Sequence, residues 1–249
     1  MNLKKIVIVG ATSEIAKQCA RLLLADTPQE LLLLGRNENR LRCLANDLMI
    51  RNPSVTVKYI ATSFIDPQKI ASLVDAIYEE SAVDLALIAQ GTLLDQKSCQ
   101  EDLSLCHHSL TINGISPILF AEAFAKHMGK INQGILTLIG SVAGDRARRS
   151  NYTYGAGKSL LGSYAQGLQH RFAGTAVQVL LVKPGPTDTP MTAHFKQAGR
   201  RLAMPEKVAS LIMEGIRNKK HVIYAPSIWK YIMFIVRCLP NRIFSKLDL

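Results

Sequence analysis

A chain of 249 residues, 48% apolar and 6% aromatic, is sized for one ordinary globular core, and no linker divides it. Five scattered cysteines (Cys19, Cys43, Cys99, Cys106, Cys238), with no Cys-x-x-Cys pair, read as incidental thiols in a reducing compartment; no secretory leader is expected, and no run of about 20 apolar residues offers a membrane span. The net charge of +11 is uneven: residues 191–249 hold 11 Lys/Arg against 3 Asp/Glu, a basic end that either attracts anions or is simply a solvated surface.

Lys5–Val9 reads as a β-branched strand, followed by Gly10-Ala11-Thr12-Ser13 and a helix to about Ala25. Strand, tight turn and helix bring backbone N–H groups and a positive helix end to a pyrophosphate. Gly10 fills the first position of a dinucleotide glycine pattern, whereas Glu14 and Ala16 stand where the second and third glycines normally lie. Ala16 still allows close helix–strand packing, and Thr12 and Ser13 offer hydroxyl donors. A carboxylate at Glu14 repels a pyrophosphate unless it points to solvent. Leu31–Leu34 is the second strand, ending in Gly35-Arg36. An acidic residue there would take the ribose hydroxyls of NAD; Arg36 suits a 2′-phosphate and favours NADP, with NAD left open. Asn39–Arg51 reads as a helix, Val55–Ile60 as the third strand, Pro67–Glu80 as an amphipathic helix and Asp84–Ile88 as the fourth strand.

Beyond Ala89-Gln90-Gly91 a long helix is expected, with Asn113-Gly114 in its middle; the asparagine is either a polar residue at a bend or part of a site. The apolar run Gly134–Ile139 is a buried strand, and Ser141 follows at its carboxyl end, where open α/β sheets place their ligands. A helix over about Tyr152–Phe172 presents Tyr154 and Lys158, four apart, on one face. A phenol, with a pKa near ~10, is a poor acid at neutral pH; a neighbouring ammonium favours the phenolate and makes it usable. Val177–Val182 is a strand, Pro205 opens a helix and His221–Tyr224 is the last strand. This alternation predicts an α/β fold, a Rossmann-type doubly wound parallel sheet with helices on both faces. Residues 1–226 form that domain and 227–249 a C-terminal apolar and basic helical tail.

Pro226 and Pro240 bracket a tail helix of roughly three turns. Apolar residues cover most of its circumference, and Lys230 and Arg237, seven apart, mark one basic stripe. Such a helix is buried in a core, packed in a dimer, or laid in a membrane interface; Trp229, Tyr231, Arg242 and Lys246 suit the last. Nucleic acid is not an expected partner, because the aromatics are embedded in apolar sequence rather than spread along a basic groove. No metal is expected.

Ser141, Tyr154 and Lys158 at this spacing, behind a nucleotide-type N-terminus, resemble the short-chain dehydrogenase/reductase family over nearly the whole chain. The resemblance implies that these three form the catalytic group and that Asn113 matches the helix asparagine whose water links the lysine to solvent. It implies cofactor contacts from Gly10, Thr12, Ser13 and Ile15 in the first turn, to which the charge argument adds Arg36 after the second strand. Ser63, beside Thr62, stands where the family usually carries an aspartate near the adenine. Ala89 and Gly91 stand in what is usually Asn-Ala-Gly. Tyr154 and Lys158 contact the cofactor themselves, as do Pro184, Gly185, Thr187 and Thr189, the last matching the threonine that holds the nicotinamide amide.

The Thr-Ser-Glu-Ile turn, Gly91-Thr-Leu-Leu-Asp, the segment from Gly144 to Asn151, Met191-Thr-Ala-His-Phe-Lys and the tail look like one branch of that family. That branch is the decaprenylphosphoryl-2-keto-ribose (D-erythro-pentofuranosid-2-ulose) 2-reductases, which reduce a keto sugar on a polyprenyl phosphate. The resemblance implies an oxidoreductase that reduces a lipid-linked ketone; the preference for NADP(H) rests on the charge of Arg36 alone, the tail suggests a cytoplasmic protein peripheral at the inner membrane face, and a homo-oligomer is expected. Arg146, Arg148 and Arg149 would meet a phosphate at the site's mouth or form a solvated basic loop. A soluble carbonyl or hydroxysteroid-type reductase whose tail packs a dimer, and a nucleotide-binding scaffold without turnover, stand as alternatives.

Overall fold

The computed structural model describes residues 3–26 and 28–247. Seven strands, β1 (Lys5–Val9), β2 (Glu30–Gly35), β3 (Thr56–Ala61), β4 (Leu85–Ile88), β5 (Gly134–Ile139), β6 (Val177–Pro184) and β7 (Val222–Ala225), form one parallel sheet. Their order is β3-β2-β1-β4-β5-β6-β7, so the chain reverses direction across the sheet between β1 and β4 and leaves a crevice at their carboxyl ends. The inner strands are continuous apolar runs because helices cover both faces of the sheet.

The pleat divides each run. Ile6, Ile8, Leu31 and Leu33 pack with α1 (Glu14–Leu23), α2 (Glu38–Arg51) and α9 (Pro205–Arg217) on one face. Val7, Val9, Leu32 and Leu34 pack with α3 (Pro67–Glu80) and the helices that follow β4 and β5 on the other. Side chains cap these helices where the sequence turns polar: Ser13 at α1, Asn37 at α2, and Asp66 ahead of Pro67 at α3.

The single long helix expected after Gly91 is interrupted. Asp102 ends α4 (Gln96–Glu101), and its carboxylate accepts from Ser104 N at 2.7 Å to start α5 (Leu103–Leu110). A π turn over Thr111–Ile115 then leads into α6 (Ser116–Ile131). Beyond β5, α7 (Tyr152–Arg171) covers the sheet; α8 (Ala193–Gln197) and α9 (Pro205–Arg217) separate β6 from β7.

The tail forms α10 (Ile228–Cys238) and a short α11 (Asn241–Phe244). Met233 and Val236 are buried against Val142, with Trp229, Tyr224 and Phe244 around them. Phe234, Tyr231 and Ile235 face outward, 71%, 66% and 61% exposed. The tail helix is therefore docked along one side and bare along the other. No helix among the described residues is long and apolar enough to cross a membrane.

Candidate functional site

The turn after β1 is packed backbone to backbone against the end of β4. Gly10 takes φ +76°, and a Cβ there would lie 2.6 Å from Gln90 N, so neither conformation nor space admits a side chain. Gly10 N and Ala11 N donate to Leu34 O at 2.9 and 3.0 Å, which ties the turn to the end of β2. Ser13 Oγ accepts from Ala16 N at 3.3 Å, leaving other first-turn N–H groups of α1 without intrahelical partners. Thr12 is half-buried beside it, and Ile15 packs its side chain on the core.

Glu14 forms an ion pair with Lys17 at 2.7 Å, so the carboxylate at the second glycine position carries its own counter-charge. It lines a cleft of about 600 Å³ with Thr189, Pro190 and Lys196. Arg36 lies exposed at the end of β2 with no hydrogen bond or ion pair among the described residues. Ser63 is exposed beyond β3, where Thr62 N donates to Gly35 O at 2.9 Å.

Across the crevice, Ala89 N donates to Val9 O at 2.8 Å. A Cβ on Gly91 would come 3.2 Å from Asn113 Oδ1 and 3.4 Å from Lys158 Nζ, so this glycine lets the chain pass over both. Asn113 is wholly buried in the π turn. Its Nδ2 donates to Thr92 O and Ser109 O, each at 2.8 Å, and its Oδ1 accepts from Thr92 N at 3.0 Å. The asparagine is thus a brace at a helix irregularity and also a neighbour of Lys158.

Ser141, Tyr154 and Lys158 converge at the carboxyl end of β5. Ser141 Oγ accepts from Ala143 N at 3.1 Å, and its hydroxyl is near enough to the Tyr154 phenol to pull that group's pKa down. Lys158 is buried; its Nζ donates to Ile139 O at 2.9 Å and lies 6.0 Å from the Tyr154 ring centre. Burial lowers the lysine pKa to about 8. The expectation that the ammonium depresses the phenol is not met in this state: burial pushes Tyr154 up, and the Ser141 hydroxyl pulls only partly the other way. The reason is geometric, since both groups are desolvated together and the ammonium is directed to a backbone carbonyl.

At the end of β6, Pro184 and Gly185 are buried, and Thr187 Oγ1 donates to Gly185 O at 2.9 Å. Thr189 pairs with Thr192 through its N–H and hydroxyl, both at 3.2 Å, and Thr192 Oγ1 also donates to Thr187 O. Thr192 escaped the sequence reading, although Thr-x-x-Thr is the spacing of such a cap. Trp229 lies against the same segment: a Cβ on Gly185 would fall 2.0 Å from its Nε1. Nothing local in the sequence signals that contact, 44 positions apart.

The basic loop is only partly what its charge suggests. Asp145 pairs with Lys183 and accepts from Tyr224 Oη at 2.7 Å. Arg146 is turned to the tail and not to the mouth for a phosphate: its Nη1 and Nη2 donate to Val236 O, Leu239 O and Asn241 Oδ1. Arg148 Nη2 reaches Met233 Sδ at 3.6 Å, with burial and Arg200 lowering its pKa, and Arg149 is exposed. Among the described residues no cluster of three His, Cys, Asp or Glu could hold a metal ion.

A doubly wound parallel sheet with its crevice at the β1/β4 reversal, and Ser, Tyr and Lys side chains meeting beside it, defines a dinucleotide-dependent oxidoreductase of the α/β class. The chain belongs to the short chain dehydrogenase family, whose pattern matches residues 4–199. Members bind NAD(P), and this protein is an oxidoreductase.

It is 29% identical over 248 residues to an uncharacterized oxidoreductase of Streptomyces coelicolor, covering 98% of this chain and 96% of the relative. It is 27% identical over 246 residues to one of Mycobacterium tuberculosis, at 97% and 96% coverage. Among solved structures, the fold matches a bulky-bulky ketone specific alcohol dehydrogenase from Comamonas testosteroni with a TM-score of 0.81, 20% identity and 100% and 96% coverage. It also matches a short-chain dehydrogenase from Sphingobium yanoikuyae in complex with NADPH, at 0.79, 20%, and 99% and 97%.

Proposed function

We propose that this protein is an NADP(H)-dependent ketoreductase that converts a lipid-linked keto sugar to its secondary alcohol at a membrane surface. The observation that carries the reading is the meeting of Ser141, Tyr154 and Lys158 at the carboxyl end of β5, beside the crevice. The crevice fits a dinucleotide: the α1 N-terminus opens on it, Glu14 is neutralised by Lys17, and Arg36 is exposed and unpaired among the described residues. Residues 1–226 act as the nucleotide-binding domain, with 227–249 as a tail docked on it.

Gly10, Thr12, Ser13 and Ile15 would hold the pyrophosphate, Arg36 a 2′-phosphate and Ser63 the adenine side. Ala89 and Gly91 would take the ribose, and Pro184, Gly185, Thr187 and Thr189 the nicotinamide end. When bound, the nicotinamide supplies the hydride. Tyr154 holds the proton destined for the ketone oxygen, and Ser141 donates to the same oxygen as negative charge develops there. Lys158, buried beside them with its Nζ on Ile139 O, would contact the nicotinamide-side ribose. Asn113 keeps Lys158 and the Gly91 strand end in register. NADP is favoured by Arg36 and by the NADPH seen in the Sphingobium neighbour; a large ketone is in keeping with the name of the Comamonas enzyme.

The membrane part rests on α10. Its outer face is apolar, and residues 228–247 contain Lys230, Arg237, Arg242 and Lys246 with no acidic residue. The branch resemblance to lipid-linked keto sugar reductases points the same way. A homo-oligomer, as is typical of the family, is the expected assembly.

The test is to titrate NADPH and NADH and to follow cofactor oxidation over a panel of keto sugars and lipid-linked ketones. Tyr154→Phe should lower kcat by about 10²- to 10⁴-fold while nucleotide binding persists. Turnover of a confirmed ketone by that variant at the parent rate, or a folded chain that binds neither nucleotide, rules the reductase reading out.

A further inference from the structure

The Arg146 guanidinium reaches 90 residues along the chain to the tail. Nη1 donates to Val236 O at 2.5 Å and Leu239 O at 2.6 Å, and Nη2 to Asn241 Oδ1 at 3.0 Å. Its plane lies 3.8 Å from the centre of the Phe244 ring. Val236 is in the last turn of α10 and Leu239 is its C-cap, where carbonyls lack intrahelical donors and the helix dipole is negative. The guanidinium serves both carbonyls through Nη1 and Asn241 through Nη2 while its plane rests on the Phe244 ring, a combination that a compact ammonium does not reproduce.

The backbone of Arg146 belongs to the loop that begins at Ser141. Gly144 N donates to Ser141 O and Asp145 N to Val142 O, both at 3.1 Å, while Ala143 N donates to Ser141 Oγ. Two glycines seat this loop directly on α7: a Cβ on Gly144 would lie 2.8 Å from the Lys158 carbonyl carbon, and one on Gly155 2.9 Å from Ala143 O. On its other side the loop is held by the tail, with Val142 under Met233 and Val236. The segment carrying Ser141 is therefore clamped between the helix of Tyr154 and Lys158 and the helix that Arg146 caps.

We infer that Arg146 is a positioning residue: by capping α10 it holds residues 141–146 in place and keeps the Ser141 hydroxyl in register with Tyr154, so that the tail is a structural part of the active site. The inference rests on the proposed roles of Ser141 and Tyr154. A cap that served only the tail would, when removed, fray α10 and α11 and leave Ser141 where it was.

The experiment compares the full-length parent with Arg146→Ala and Arg146→Lys by amide hydrogen exchange, NADPH titration and steady-state kinetics. Arg146→Ala should raise exchange in residues 141–146 and 236–244 together. The NADPH Kd should stay within about twofold, because the Gly10 turn lies outside the perturbed contacts. kcat should fall between about tenfold and about a hundredfold, with KM moving less. Arg146→Lys should recover part of the loss.

Exchange that rises only in 236–244, or a kcat equal to the parent's with residues 141–146 loosened, overturns the inference. Should the parent reduce no ketone, the functional reading fails, while the exchange comparison still decides whether Arg146 holds the loop. If the alanine variant does not fold, the lysine variant, left with one donor group and no stacking plane, supplies the same comparison.

Discussion

Lys158 is a buried cation with one hydrogen-bond acceptor among the described residues, Ile139 O, and its pKa falls to about 8 from the 10.5 of an ordinary lysine. Between those values the unfolded chain holds a proton that the folded chain has released, so stability rises with pH across that window and is flat below it. The full window corresponds to about 3 kcal/mol. Tyr154 acts in the opposite sense: its raised pKa contributes stability that is present below the unfolded value near ~10 and lost above it. The lysine effect is therefore read between about pH 8 and about pH 10. In urea unfolding, the parent should gain about 2 kcal/mol on Lys158→Met over that interval; a constant difference would mean that the ammonium is not desolvated as described. Glycines give a second test. Gly10 and Gly174 share φ +76°, but only Gly10 has atoms within reach of a new Cβ. Gly174→Ala should cost about 1–2 kcal/mol, the left-handed backbone alone, and Gly10→Ala at least about 2 kcal/mol more, since the clash is with backbone. Equal losses in thermal unfolding would deny the tight packing of Gly10 on Gln90. Tyr154, Lys158, Ser141 and Gly10 were legible in the sequence because their meaning lies in short spacings. The partner of Arg146 and the direction of the Tyr154 shift depend on residues far along the chain, and no local pattern carries them.

At the scale of elements, the sequence after Gly91 reads as one helix, and the structure divides it at Asp102 and widens it at Thr111–Ile115. The break had a visible cause, since aspartate is a strong N-cap residue and Asp102 caps α5. The π turn had none, because its stabiliser is the peptide of Thr92, across the crevice, held on both sides by the Asn113 amide. That dependence separates two substitutions. Asn113→Ala removes the brace and leaves half-buried backbone groups of Thr92 unpaired, an expected loss of about 1–3 kcal/mol. Asn113→Asp keeps the shape but turns an acceptor toward Thr92 O and Ser109 O, where donors are required, so it should be the less stable of the two. Urea midpoints of the two variants and the parent decide the order, and an aspartate variant as stable as the parent would show that Asn113 does not serve as a double brace.

For the whole molecule, strand number, parallel direction and the place of the crevice followed from the alternation of apolar runs with helices, because a parallel sheet covered on both faces leaves few other arrangements. The tail was ambiguous for the opposite reason: a helix apolar over most of its circumference does not reveal which side docks. The structure assigns Met233 and Val236 inward with Trp229 beside them, and Tyr231, Phe234 and Ile235 outward. Trp229 is the only tryptophan in the chain, and it lies against Gly185. Its emission therefore reports whether the tail stays docked when vesicles are added. On the proposed membrane reading, the four cations over 228–247 would draw that face to anionic headgroups by an attraction that salt screens within about 8 Å at physiological ionic strength, and apolar side chains would supply the contact itself. The full chain should sediment with phosphatidylglycerol vesicles and not with phosphatidylcholine vesicles, and added salt should release it. Phe234→Glu should abolish binding while leaving NADPH affinity unchanged. If the tail remains clamped to the catalytic loop, the Trp229 emission maximum stays where it is in the free protein. A blue shift on vesicle addition would mean that α10 leaves the domain to insert. Equal binding by the Phe234→Glu variant would mean that the bare face of α10 is not what meets the membrane.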